Sequence, residues 1–187
     1  MRVIAGRARG FPLRSVRDRS VRPTPDRVRE ALFSILGDRV KDRPFLDLYA
    51  GSGAVGIEAL SRGASEVTFV EKSRAAIAVI HSNLSRCGFE GRARVIGADV
   101  VDLLRRGDLA EESFAVAYID PPYESIEGAL VLRELERTPP AVAETELIVF
   151  EHRRKAAPPE PAGFLVRTRT AFYGDTALSF YQRAARF

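Results

Sequence analysis

The sequence predicts an α/β domain: a parallel sheet closed by an antiparallel strand pair, with a basic extension in front. Three observations predict it. Short strands, apolar on both faces, alternate with helical segments from Phe45 to Glu151, as the doubly covered strands of a parallel sheet do. Residues 164–173 and 176–183 instead alternate with period two around Gly174-Asp175, the pattern of an antiparallel hairpin. The charge is uneven. Residues 1–43 hold 12 Lys+Arg and 5 Asp+Glu, a balance of +7, whereas 44–187 hold 17 and 20, a balance of −3.

The elements follow in order. Residues 2–5 and 10–16 read as two short strands of a hairpin around GRARG. In RSVRPTP, Pro23 and Pro25 keep the chain extended, Thr24 is a good helix N-cap, and Pro25 suits the first helical position. Val28, Ala31, Leu32, Ile35 and Leu36 then share one helical face, and Gly37 ends the helix. This extension, 1–43, is expected to pack on the main unit, 44–187, as one globular body. In the main unit, strand 45–49 leads through GSGAVG into a helix reaching about Arg62. Strand 67–70 leads to a Ser73-capped helix whose Ile77, Ile80 and Leu84 line up before Gly88. Strand 93–97, helix 99–106, strand 114–120, helix 125–137 and strand 146–151 complete the alternation, and APPEPAG is a Pro-rich connector to the hairpin.

Composition narrows the function classes. With 187 residues, 45% of them hydrophobic, the chain can bury a sizeable core without staples. Cys87 is the one cysteine, and His81 and His152 stand apart, so an intrachain disulfide and a Cys- or His-cluster metal site are excluded. The longest apolar runs, AAIAVI and FAVAYI, reach about a third of a membrane span, and the expectation is a cytoplasmic protein with no membrane partner. The N-x-S at Asn83 is then chance. The excess cations are nearly all arginine, whose planar fork suits phosphate. A basic arm on a slightly acidic body suits a nucleic acid and equally well a solvated surface.

Two motifs carry chemistry. Gly51-Ser52-Gly53-Ala54-Val55-Gly56 lies between a strand and a helix. Such glycines permit a tight turn and close approach of a ligand to the backbone at a helix N-terminus. Glu71 ends the next strand, 20 residues after Gly51, where a carboxylate can accept from both hydroxyls of a ribose. The pair indicates an adenosine-containing cofactor without choosing between a nicotinamide and a sulfonium. Asp99, just past the third strand, suits the adenine amino group and suits a helix N-cap equally. Asp120-Pro121-Pro122-Tyr123 follows the fourth strand, so it should face the glycine loop at the carboxyl end of the sheet. Its prolines stiffen a loop of exposed carbonyls. A carboxylate beside a carbonyl is an acceptor-only pair, matched to an exocyclic NH2 with two donors, and Tyr123 can stack on a base. Accepting both N–H bonds at fixed geometry leaves the nitrogen lone pair free to attack a methyl sulfonium.

At these residues the chain resembles the RsmD-type ribosomal RNA small-subunit guanine-N2 methyltransferases. The matching segments are RVIAGRARG, RPTPDRVREALF, DLYAGSGAVGIEALSRGA, FVEK, DPPY and YGDT, spread over almost the whole chain in the family's order. RPTPDRVREALF is the most specific, whereas DPPY is shared by many amino-group methyltransferases. The resemblance implies a Rossmann-like, seven-stranded class I methyltransferase fold and S-adenosylmethionine as donor, with no metal. It also implies methylation of a guanine N2 amine in 16S rRNA, within an assembling or assembled small ribosomal subunit. By motif it places Asp47, Tyr49, Gly51, Ser52 and Gly53 along the cofactor loop, Glu71 at the ribose and Asp99 near the adenine. Asp120, Pro121, Pro122 and Tyr123 then hold the target base. Arg22, Thr24 and Arg27 are the expected RNA contacts of the arm, Arg29 less so. Glu58 is expected on a helix surface. A monomer is expected. The competing readings are a DNA adenine-N6 or cytosine-N4 methyltransferase, a nicotinamide-dependent dehydrogenase, and a non-catalytic RNA-binding module.

Overall fold

In the computed structural model, which describes residues 1–16, 26–110, 112–122, 127–137, 146–161 and 163–184, the apolar segments become neighbours in one seven-stranded sheet. Strands β1 (Phe45–Leu48), β2 (Val67–Glu71), β3 (Ala93–Gly97), β4 (Val116–Ile119) and β5 (Leu147–Arg153) are parallel. Strands β6 (Leu165–Tyr173) and β7 (Thr176–Arg183) are antiparallel, and the order is β3-β2-β1-β4-β5-β7-β6. The predicted mostly parallel sheet with an antiparallel C-terminal pair is therefore present. Every residue of β1 and β4, the two central strands, is buried. That is why they read as continuous apolar runs rather than alternating ones.

Helices α1 (Asp26–Leu36), α2 (Ala54–Ser61) and α3 (Arg74–Cys87) cover one face, where Leu32, Ile57, Leu60, Ile80 and Leu84 pack with Phe45, Val67, Phe69, Val116 and Val149. Helices α4 (Val100–Arg106) and α5 (Glu127–Arg137) cover the other, where Leu103, Leu104, Val131, Leu132 and Leu135 pack with Leu46, Leu48, Ala117, Ile119 and Phe150. The strand order reverses at β1, whose neighbours are β2 and β4. Open α/β sheets place ligands beyond the strand ends at such a point. The order also departs from the 3-2-1-4-5-6 arrangement of dinucleotide-binding domains, because antiparallel β7 lies between β5 and β6.

Three expectations are corrected. The N-terminal β-hairpin reduces to one antiparallel bridge, Arg2 to Pro12. Around it Val3 N–H donates to the Phe11 carbonyl at 3.0 Å, Gly10 N–H to the Val3 carbonyl at 2.9 Å and Leu13 N–H to the Met1 carbonyl at 3.1 Å, so the expected pairing is present but short, and other N–H groups of the segment go elsewhere. Ile4 and Ala5 donate to Glu58 at 2.8 and 3.0 Å, Arg7 to the Ser61 carbonyl at 2.8 Å, and Ala8 to Ser61 Oγ at 2.9 Å. The segment is thus an irregular strap on α2, with Val3, Ala8 and Leu13 in the same core as the sheet. Glu58 is not on a helix surface: it is fully buried, and besides the strap it binds Arg62 at 2.8 Å and faces Arg29 at 3.7 Å. The buried face of α1 is Val28, Arg29, Leu32, Phe33 and Leu36, turned from the predicted stripe so that a guanidinium goes inside. Arg29 donates to the Arg2 carbonyl at 2.5 Å and to Asp26 at 3.2 Å, holding strap and helix together.

Candidate active site

The chain leaves β1 in a conformation that side chains seldom take. Tyr49 has φ +62°, and Gly51 and Gly53 follow at +55° and +75°. A non-glycine residue held there stores about 1–3 kcal/mol, which the surroundings must offset. They do so with hydrogen bonds: Ala50 N–H to the Val70 carbonyl at 3.1 Å, Gly53 N–H to the Ala50 carbonyl at 2.7 Å, and Gly51 N–H to Glu71 Oε2 at 2.9 Å. Gly56 is needed for a different reason. A Cβ there would stand 2.3 Å from Phe69 Cε1 and 2.8 Å from Val67 Cγ1, so its absence lets α2 lie close on β2.

Asp47 reaches up from inside β1 and accepts the Gly56 N–H at 2.9 Å, tying the first turn of α2 to the strand. Burial pushes its carboxyl up to about 8; the Gly56 bond works against that rise, and nearby Glu71 adds to it. Glu71 accepts the Gly51 N–H through one oxygen and the Ser73 N–H at 2.8 Å through the other. A carboxylate has about four acceptor sites, so capacity for a diol remains. Asp99 is the N-cap of α4, its Oδ1 accepting from Val101 at 3.0 Å and Asp102 at 3.4 Å, while Lys72 binds Oδ2 at 3.2 Å. Burial favours its neutral form, but the Lys72 bond and the two backbone N–H groups together hold the carboxyl below the ordinary value. Since Glu71 pairs with Gly97 across β2 and β3, both carboxylates sit at adjacent strand ends.

Asp120 emerges half-buried beyond β4, and its N–H points to the Leu48 carbonyl at 3.4 Å. The Asp-Pro-Pro turn therefore starts alongside Tyr49. Pro121 is buried and Pro122 exposed. Tyr123, Arg22 and Thr24 lie outside the described residues. Arg27 is exposed on α1, whereas Arg29 is the buried clamp described above.

Sequence reasoning weighed Asn83 only as a chance N-x-S. It is fully buried, accepts the Arg14 N–H at 2.8 Å, and donates to the Arg14 carbonyl at 3.0 Å and the Ser52 carbonyl at 2.9 Å. One amide thus fastens the basic strap to the glycine loop. The available signal was position: a polar residue three after Ile80 on an apolar helix face.

The donors suit an adenosyl sulfonium. Positive-φ glycines open the backbone, and two carboxylates stand at the ends of β2 and β3. No described helix is long and apolar enough to cross a membrane.

A family model, conserved hypothetical protein 95, matches residues 1–182. YlbH of Bacillus subtilis, named as a proposed rRNA methyltransferase, is 37% identical, the match covering 98% of this chain and 99% of that one. Ribosomal RNA small subunit methyltransferase D of Escherichia coli K12 is 32% identical over 100% of this chain and 91% of its own. The solved structure of YhhF from Escherichia coli, described as a proposed methyltransferase, superposes with a TM-score of 0.83 at 32% identity, covering 100% of this chain and 99% of that one.

Proposed function

The chain belongs to the conserved hypothetical protein 95 family, the RsmD family, and on that premise we propose that it methylates ribosomal RNA with S-adenosylmethionine, at a guanine N2 amine of 16S rRNA. The observation that supports it most is the junction of β1 and β4. The Asp120 turn begins one hydrogen bond from the Leu48 carbonyl, so an acceptor-only loop stands beside a glycine loop.

In this reading Asp47, Tyr49, Gly51, Ser52 and Gly53 shape the cofactor loop, Glu71 accepts from the ribose and Asp99 from the adenine. The bound cofactor supplies an electrophilic methyl on a sulfonium. Asp120 and the Pro121 carbonyl would accept the two N–H bonds of the target amine and keep its lone pair toward that methyl, and Asp120 would take the proton the amine must lose as the methyl leaves sulfur for nitrogen; Pro122 would stiffen the segment and Tyr123 would stack on the base. An aromatic amine is a weak nucleophile because its lone pair is delocalised, so orientation is the main contribution asked of the protein. The arm, with Arg22, Thr24 and Arg27, holds RNA phosphates. The protein works as a cytoplasmic monomer on the small subunit or its precursor.

Methylated-nucleoside analysis tests this after incubation with small subunits that lack the modification. N2-methylguanosine in the rRNA is expected. Methyl transfer to adenine or cytosine in DNA, with none to rRNA, would overturn it. Because Val3, Ala8 and Leu13 are core residues, substituting Arg7 and Arg9 tests the arm, where truncation would unfold it.

A further inference from the structure

We propose that the end of β5 and the tip of the β6–β7 hairpin form a second RNA-docking surface, gripping a single-stranded segment that flanks the target nucleotide. It rests on the RNA methyltransferase reading above. Arg153 pairs with Thr176, and Tyr173 with Thr176, so the hairpin tip stands beside the carboxyl end of β5. This is the carboxyl end of the parallel strands, from which the Asp120 segment also emerges. Three interstrand steps separate β6 from β4, about 14 Å, a distance that a few extended nucleotides span.

The side chains there suit RNA. Phe172 is 54% exposed, and the Arg154 guanidinium lies 5.2 Å from its ring centroid. An aromatic ring backed by a cation is a sequence-tolerant platform for a base. Arg153, Arg154 and Lys155 are consecutive and exposed, against one acid, Asp175, in the facing turn. The Arg154 N–H donates to the Asp175 carbonyl at 2.8 Å, which fixes the two turns together.

Blunting of an edge strand explains other residues on β6 but not these. Arg167 pairs with Glu160 at 2.9 Å, and Arg169 lies over the buried Phe180 ring, so both have local roles. An exposed phenylalanine at a strand edge invites contact rather than deterring it. The YGDT turn thus acquires a role beyond reversing the chain: it presents Phe172 beside the basic turn.

The test uses the full chain with 16S rRNA transcribed in vitro as the probe, binding read by filter retention across a salt series. Phe172→Ala should bind RNA about five- to a hundred-fold more weakly, with S-adenosylhomocysteine affinity and melting temperature unchanged. Phe172→Trp should restore binding. Arg154→Gln should lower the log–log salt slope by about 0.7–0.9. Wild-type affinity and slope in both Phe172→Ala and Arg154→Gln would overturn the surface while leaving the methyltransferase reading intact. A defect confined to assembled particles and absent on free RNA would assign the patch to a ribosomal protein and also overturn it. Failure of the wild-type protein to methylate any RNA would sink the functional reading itself.

Discussion

Asp47→Asn isolates the energetics of the candidate site in one pH series. The folded carboxyl sits at about 8 because burial penalises its charge, whereas in the unfolded chain it returns to about 3.9. Between those values the folded state holds a proton that the unfolded state releases. Stability from this group is therefore fully present below about pH 4 and is lost as pH rises through about 8. One proton difference gives about 1.4 kcal/mol per pH unit, so about 2–3 kcal/mol disappears between pH 5 and pH 7. Asparagine is close to the protonated carboxyl in shape, keeps an acceptor for the Gly56 N–H and does not titrate. Urea denaturation of both proteins at pH 5, 6, 7, 8 and 9 gives the difference directly. The stability of Asp47→Asn relative to wild type should climb by about 1.4 kcal/mol per unit and level off above about pH 8.5. For a domain of this length that corresponds to a relative Tm gain of roughly 5–10 °C from pH 5 to pH 7. A difference flat across the series would show that Asp47 ionises at an ordinary value and that its burial is not felt.

Three further outcomes are expected. Gly56→Ala should destabilise by about 1–3 kcal/mol by thermal or urea unfolding. Its new methyl collides with the fully buried Phe69 and Val67, which outweighs the ~1 kcal/mol that alanine gains in a helix. Asn83→Ala strips partners from Arg14 and the Ser52 carbonyl; it should cost about 1–3 kcal/mol and speed tryptic cleavage after Arg14, read by mass spectrometry under native conditions. Asp120→Asn should lower single-turnover methyl transfer by about a hundred-fold or more while S-adenosylhomocysteine binding by calorimetry stays near wild type, because the residue's proposed contact is with the target amine.

The sheet was legible because its signal is local. Residues 45–49 and 114–120 read as strands apolar on both faces, and Phe45–Leu48 and Val116–Ile119 are the fully buried strands there; Thr176–Arg183 pairs with its partner around Gly174-Asp175, and Gly51 to Gly56 sits at the turn their spacing indicated. The N-cap reading of Asp99 is present as well. The strap was legible only in part. Its alternation indicated a hairpin, which is present as a short pairing of residues 1–3 with 10–13, but its other hydrogen-bond partners lay 53 to 69 residues away, at Glu58, Ser61 and Asn83. Each of those three is a polar residue on a helix, and sequence alone cannot tell one facing water from one facing a distant backbone.

Periodicity and turn chemistry are properties of neighbours in the chain. They determined the alternating elements, the antiparallel ending, the positive-φ loop and the Asp-Pro-Pro segment after the fourth strand. Only the folded chain decided that Arg29 and Glu58 go inside, that Asn83 joins the strap to the glycine loop, and that Phe172 stands beside Arg154 at the open end of the sheet. A buried polar group is tolerable only where a partner meets it, and which partner meets it is fixed when the strands and helices close on one another.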